Sequence, residues 1–327
     1  MRAVVIDGGA SREGSSPRLG EVPDPVPAAG EVLLAVAATA LNRADLLQLK
    51  GLYPPPPGES EVPGLECSGE VLEVGPGAAP WQVGDRVMAL LAGGGHGEKV
   101  AVPAGQLMTL PAELSWEEGA ALPEAALTAW TNLVVEGGLE AGQTVLITAA
   151  ASGVGTVAVQ IARALGARVL VAGRSLERLE ELRPLGAEDC IELGPDLPET
   201  VREANGGRGV DLVFDLVGGE GLNRRLECLD RRGRLVLIGL LAGRRAEIDL
   251  GLVLRQRLKI VGSVLRSRSR AEKAELIRGF TAFAQPLLAD GRLRPVIDRV
   301  LPFDEILAAY EQMAAGGLLG KLVLRVG

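Results

Sequence analysis

With 327 residues, 47% of them apolar and 23% charged, the chain has the composition of a globular enzyme, too apolar for a disordered chain and too polar for a membrane bundle. A length near 300 fits about two domains with room for a sizeable core. The formal net charge of −8 argues against a general nucleic-acid binder, whose affinity rests on a basic surface that neutralises phosphates.

The first residues, MRAVVIDGGASREG, hold one Arg, a short strand-like run and then polar residues, without the apolar core of a secretory signal. The longest apolar runs, such as residues 145–151, are too short to span a bilayer. Cys67, Cys190 and Cys228 are widely spaced, which suits reduced thiols, so a cytoplasmic location is expected. Between residues 22 and 77 the chain is broken repeatedly by Pro and Gly (VPDPVPAAG, YPPPPGES, VPGLECSG, VGPG), the punctuation of a β-rich, loop-heavy domain. His96 is the only histidine, which excludes a metal site with two imidazoles. Set in AGGGHGEKV, it reads as an exposed loop residue without a catalytic role.

Near Leu122 the pattern changes to apolar strands alternating with helical segments, the order of a parallel sheet with helices on both faces. TVLITAA (144–150) is a buried strand, TVAVQIARALG (156–166) a helix closed by Gly166, and RVLVAG (168–173) the next strand. SLERLEELRPLG (175–186) is predicted as a helix with Ser175 at its N-cap. DCIEL, VDLVFDLVG, GRLVLIG and LKIVGSV supply four more strands, six in all. RSRSR (266–270) reads as a solvated loop or helix start, with a phosphate or substrate contact as the alternative. A helical stretch and a final strand-like KLVLRV follow. The fold class is therefore α/β: a β-rich domain over 1–123, a doubly wound parallel six-stranded domain over 124–262, and a return to the first domain over 263–327.

The turn between the first strand and helix of the second domain, AAASGVG, has the placement of a dinucleotide-binding loop. Ala150, Ser152 and Gly155 occupy the G-x-G-x-x-G positions; Ala and Ser are nearly as small as Gly, and Gly153 adds backbone freedom. A pyrophosphate is expected at the amide groups of the helix that begins near Gly153. A merely tight strand-to-helix turn is the alternative. At the end of the second strand stand Gly173, Arg174 and Ser175, with no acid until Glu177 and a second arginine at Arg178. Guanidinium groups pair with a ribose 2′-phosphate where an acid would repel it, so NADPH is the expected cofactor.

Taken with ALNRADLLQLKGLYPPPPG (40–58), VPGLECSGEVLEVG, VGDRV (83–87) and the C-terminal GKLVL, this loop resembles the medium-chain dehydrogenase/reductases over essentially the whole chain. The resemblance is to the zinc-free quinone oxidoreductase branch that includes zeta-crystallin. It implies a Rossmann domain plus a GroES-like catalytic domain. Zinc-dependent relatives carry Cys where this chain has Asn42 and His where it has Leu65, within Gly64-Leu65-Glu66, and the four-cysteine lobe after VGDRV is missing. Zinc-independent reduction follows.

By the same resemblance Asn42 and Asp45 lie near the nicotinamide and Tyr53 over the substrate, with Tyr53, Asn42 and Arg266 as donors to a developing oxyanion. Asn42, Thr128, Ser152, Gly153, Val154, Gly155, Gly173, Arg174, Ser175, Arg178, Leu216, Gly239, Leu240, Leu241, Val264 and Leu265 are expected to line the cofactor. Leu193 stands where the family often has a Tyr near the 2′-phosphate. Structural alternatives are packing on proline rings for Tyr53, a capped turn for Asn42, a helix N-terminal charge for Asp45 and a contact with its own helix for Thr128. The resemblance implies hydride transfer from NADPH to quinones or related electron-poor enones, and a homodimer joined through LKIVGSV. The alternatives are an enoyl reductase acting on 2-enoyl thioesters or alkenals, and a non-enzymatic NADPH-binding or RNA-binding protein of the crystallin kind.

Overall fold

The computed structural model describes residues 1–6 and 16–326; the polar part of MRAVVIDGGASREG, residues 7–14, lies outside them. The chain divides into two compact units, Met1–Leu127 with Arg266–Gly327, and Thr128–Leu265.

In chain order the first unit opens with an antiparallel pair, β1 (Arg2–Ile6) and β2 (Pro17–Glu21), followed by β3 (Glu31–Ala40), α1 (Arg43–Leu49), β4 (Glu66–Val74), β5 (Arg86–Leu90), β6 (Lys99–Pro103), β7 (Leu107–Thr109) and α2 (Trp116–Ala120). Next come α3 (Pro123–Trp130) and one π turn, Thr131–Val135. The second unit alternates β8 (Thr144–Thr148), α4 (Gly153–Ala164), β9 (Arg168–Gly173), α5 (Leu176–Glu180), β10 (Asp189–Glu192), α6 (Leu197–Ala204), β11 (Val210–Asp215), α7 (Leu222–Glu227), β12 (Leu229–Leu237), α8 (Leu250–Gln256) and β13 (Lys259–Gly262). The chain then returns to the first unit with α9 (Arg270–Ala289), β14 (Ile297–Pro302), α10 (Ile306–Ala315) and β15 (Lys321–Arg325).

In the first unit β3 is the organising strand. It is antiparallel to β4 along one edge; along the other, its first half pairs with β6 and its last residues with β15. Strand order is β14-β15-β3-β4-β5-β7, so the returning segment completes this sheet. Val32, Leu34, Val71, Val87, Val100, Val102 and Leu107 fill one core, and Leu41, Leu46, Phe303, Ile306, Leu322 and Leu324 another.

The second unit is the doubly wound six-stranded parallel sheet expected from the sequence, ordered β10-β9-β8-β11-β12-β13. Its central strands are buried on both faces and so read as unbroken apolar runs rather than alternating ones. Gly166, at φ +79°, closes α4. One element is shorter than predicted: α5 stops at Glu180 and the remainder of SLERLEELRPLG is turns. Pro184 explains the stop, since it offers no N–H and disfavours helical geometry in the residue before it.

Candidate functional site

The order of strands reverses between β8 and β11, and parallel pairing sets the carboxyl ends of β9, β8, β11, β12 and β13 along one edge of the sheet. Such a switch point leaves a crevice for a ligand. Around it the structure gathers Ser152–Gly155 after β8, Gly173–Ser175 after β9, Leu216 after β11, Gly239–Leu241 after β12, and Val264 and Leu265 after β13. Ser152 caps α4, its Oγ accepting from Gly155 N at 3.1 Å. The N–H groups of Gly153 and Val154 make no hydrogen bond among the described residues, leaving two donors at the positive end of a 12-residue helix.

The small residues of this turn have distinct reasons. A Cβ on Gly155 would run into the backbone of Ala150, so Gly155 allows helix and strand to pack closely. The left-handed residue is Ala149, at φ +48°, rather than Gly153, which is the first helical residue; the conformational freedom ascribed to Gly153 is not used. Gly239 likewise has no room for a Cβ against Leu216 O, which brings those two expected cofactor residues together.

Beyond β9, Ser175 caps α5, accepting from Arg178 N at 3.4 Å. Arg174 is exposed and Arg178 half-buried, and neither guanidinium pairs with a carboxylate among the described residues. Two unspent cations here fit a phosphate. Leu193 donates its N–H to Gly173 O at 2.8 Å and brings no polar side chain. Thr128, buried on α3, accepts at its carbonyl from Asn132 Nδ2 at 2.7 Å.

A buried ion pair not anticipated from the sequence shapes the turn after β11. Asp215 Oδ2 accepts from Arg225 Nε at 3.0 Å, and Oδ1 accepts from Thr148 Oγ1 at 2.9 Å and from Val217 N at 3.0 Å. Thr148 Oγ1 accepts in turn from Leu216 N at 3.0 Å. Breaking such a pair by removing one partner costs about 3–5 kcal/mol.

The first unit holds a second polar cluster. Asn42 caps α1; its backbone N–H donates to Asp45 Oδ2 at 2.7 Å, and Asp45 Oδ1 accepts from Gly64 N at 3.2 Å. Asn42 Nδ2 donates to Glu66 Oε1 at 2.8 Å, while its Oδ1 accepts from Lys321 Nζ at 2.7 Å. Lys321 also pairs with Glu66, whose Oε2 accepts from Glu124 N at 2.9 Å. The Asn42 amide is thus committed to Glu66 and Lys321. Asp45 is buried and takes the helix-capping role.

Arg266 is buried too, against the solvated reading of RSRSR. Its Nε donates to Ala92 O at 2.8 Å, Nη1 to Tyr53 O at 2.8 Å and Nη2 to Gln48 Oε1 at 2.7 Å. With three protein acceptors engaged, it holds the Tyr53 loop in place. The rest of the segment does open a helix: Ser269 caps α9. The Tyr53 phenol has no hydrogen-bond partner among the described residues; burial, then the charge of Glu124, push its pKa up to about 12.

His96 is fully buried, contrary to the exposed-loop reading. Its Nδ1 lies 2.6 Å from Tyr310 Oη, and burial lowers its pKa, so the ring is neutral. Glycines bury this segment: a Cβ on Gly64 would strike His96 N, and one on Gly95 would meet Glu66 O at 2.8 Å. Among the described residues no three His, Cys, Asp or Glu side chains are grouped to hold a metal, and the cation bonded to Asn42 and Glu66 is the chain's own Lys321.

Residues 28–112 match the alcohol dehydrogenase GroES-like domain and residues 153–281 the zinc-binding dehydrogenase family. The chain is 30% identical over 298 residues to the quinone oxidoreductase-like protein 2 homolog of Nematostella vectensis, covering 90% of this chain and 81% of that one. It is 31% identical over 359 residues to acryloyl-coenzyme A reductase of Metallosphaera sedula, covering 99% of each. Among solved structures, the quinone oxidoreductase of Thermus thermophilus, determined alone and in complex with NADPH, is similar with a TM-score of 0.84 and 35% identity over the whole of both chains. By its two domains, its sheet order and these relatives, the chain belongs to the quinone oxidoreductase branch of the medium-chain dehydrogenase/reductase superfamily.

Proposed function

We propose that this oxidoreductase is a zinc-independent reductase that uses NADPH to reduce quinones or related electron-poor enones. The observation that carries the cofactor choice is the pair of unspent guanidinium groups, Arg174 and Arg178, after a β9 that ends without an acid. The turn at Ser152–Gly155 would hold the pyrophosphate, with Leu216, Gly239, Leu240, Leu241, Val264, Leu265 and Thr128 lining the remainder of the cofactor. Bound there, NADPH supplies a hydride; the chain supplies orientation and electrostatics. Tyr53, whose phenol has no partner of its own, donates to the oxyanion that develops on the substrate. Arg266 and Asn42 act behind it, the first by fixing the Tyr53 backbone and the second by anchoring the start of α1.

A relative that is an acryloyl-coenzyme A reductase supports a second reading, reduction of 2-enoyl thioesters. Comparing 1,4-benzoquinone, 9,10-phenanthrenequinone and crotonyl-CoA at constant NADPH separates the two. Turnover of none of them returns the protein to a binding role. Three free cysteines favour a cytoplasmic setting. Edge strand β13, with Ile260 exposed, favours pairing with a second copy, and light scattering at micromolar concentration that gives a monomer rules the dimer out.

A further inference from the structure

The turn after β11 holds three glycines in the left-handed region, Gly218, Gly219 and Gly221. Glycine reaches such conformations among many alternatives, so a turn of this composition does not fix one shape by itself. A buried side-chain clamp fixes it. Asp215 Oδ1 accepts from Thr148 Oγ1 at 2.9 Å and Val217 N at 3.0 Å, and its Oδ2 accepts from Gly218 N at 3.3 Å and Arg225 Nε at 3.0 Å. Arg225 Nη2 also donates to Gly218 O at 2.5 Å. The carboxylate and the guanidinium thus grip the N–H and the carbonyl of the same glycine, and both side chains are buried.

The clamp extends to the turn after β12. Ile238 N donates to Asp215 O at 2.8 Å, and Ala242 N donates to Val217 O at 2.8 Å. A Cβ on Gly219 would strike the backbone of Ala242, as one on Gly239 would strike Leu216 O. The two turns therefore pack as one body within the second unit. At its rim Leu216 O and the N–H groups of Leu240 and Leu241 make no hydrogen bond among the described residues. The clamp is saturated with protein partners, and the rim it supports is not.

We propose that Arg225 is a positioning residue for the cofactor: through Asp215 and Gly218 it presets the turns after β11 and β12 for the half of the dinucleotide that carries the nicotinamide. The proposal rests on the NADPH reading above. In the strand order β9-β8-β11-β12, the cations suited to the 2′-phosphate follow β9 and the turn suited to the pyrophosphate follows β8. The turns after β11 and β12 are left for the remainder. A loop already in its bound shape need not be ordered by the ligand. Without the clamp, a turn that holds this shape about a tenth of the time binds about tenfold more weakly.

The test reads affinity rather than turnover. Wild type, Arg225→Met, Arg225→Lys and the double variant Asp215→Asn with Arg225→Met are titrated calorimetrically with NADPH and with 2′,5′-ADP, and their melting temperatures are measured. The second ligand carries the adenosine and the 2′-phosphate but no nicotinamide. Arg225→Met should weaken NADPH binding about tenfold and 2′,5′-ADP binding less than about twofold. Arg225→Lys should weaken NADPH about threefold, since an ammonium meets Asp215 but gives up the second contact of the fork; it carries the comparison should Arg225→Met not fold. The double variant leaves no unpaired buried charge and should recover melting temperature, but not NADPH affinity, because nothing then donates to Gly218 O. Equal weakening of both ligands marks a structural role and overturns the proposal alone. So does NADPH affinity that returns with the melting temperature in the double variant, or that is unchanged in Arg225→Met. A wild type that binds neither ligand overturns the NADPH reading and the proposal with it.

Discussion

The Arg266 guanidinium lies over the Tyr53 ring, 5.2 Å from its centroid, while its Nη1 donates to the Tyr53 carbonyl at 2.8 Å. One side chain thus grips both the backbone and the ring of the tyrosine that opens YPPPPGES. Gln48 braces the same loop from its other end, its Nε2 donating to Glu61 O at 2.9 Å while its Oε1 accepts from Arg266. The phenol is left free to donate. Tyr53→Phe should lower kcat/KM about tenfold, or about 1.4 kcal/mol, without altering NADPH affinity. Tyr53→Ala should cost more. Arg266→Lys exchanges a planar fork for a point charge that cannot reach Tyr53 O, Ala92 O and Gln48 together, and each buried acceptor left unpaired costs about 1–3 kcal/mol. Melting temperature and steady-state kinetics of the three variants check this; full activity in both Tyr53 variants rules out the role.

The second unit was legible because parallel strands buried on both faces appear as apolar runs, and because Gly166 marks the end of α4. The tight turn from β8 into α4 was legible from its small residues, although the residue that takes the left-handed conformation, Ala149, carries no such mark. Asp215 and Arg225 were missed because they meet only through a turn whose path depends on left-handed Gly218, Gly219 and Gly221. His96 was misread because glycines that signal a loop also let two backbone segments approach closely, and here the second use buries the imidazole. Lys321 stood in the quoted GKLVL, a lone charge opening an apolar strand; its partners Asn42 and Glu66 are hundreds of residues away in sequence.

Removing the unpaired cations at the end of β9 tests the cofactor directly. Each charge-assisted bond to a 2′-phosphate is worth about 1.5–3 kcal/mol, and the two need not add. Arg174→Ala with Arg178→Ala should weaken NADPH binding at least about tenfold and leave NADH nearly unchanged. Calorimetric titration of both cofactors reads the difference, and an equal loss for the two removes the assignment.

Acid should destabilise the protein partly through its one histidine. Burial holds the folded-state pKa of His96 below 6.5, so the unfolded chain takes up the proton more readily. Its contribution is whole above about pH 6.5 and is lost as the pH falls through the folded value. Between pH 7 and pH 5 the melting temperature of wild type should therefore drop more than that of His96→Gln. Parallel curves for the two proteins would remove His96 from the account.

Lys321 sets the last prediction, because it supplies the positive charge bonded to Asn42, the position where zinc-dependent relatives carry Cys. Its ammonium is buried, donates to Asn42 Oδ1 at 2.7 Å and pairs with Glu66, which lies within reach of the Glu124 charge. Lys321→Met would leave Glu66 buried without its cation and should cost about 3–5 kcal/mol. Adding Glu66→Gln should recover part of that loss, because a neutral amide can still accept from Asn42 and needs no counter-charge. Urea unfolding of the single and double variants measures both effects. With a lysine in this role the fold needs no metal here, so a chelator should leave wild-type activity and melting temperature unchanged. Stoichiometric zinc in the purified protein, together with a melting temperature that falls on chelation, would show that Lys321 does not replace a metal.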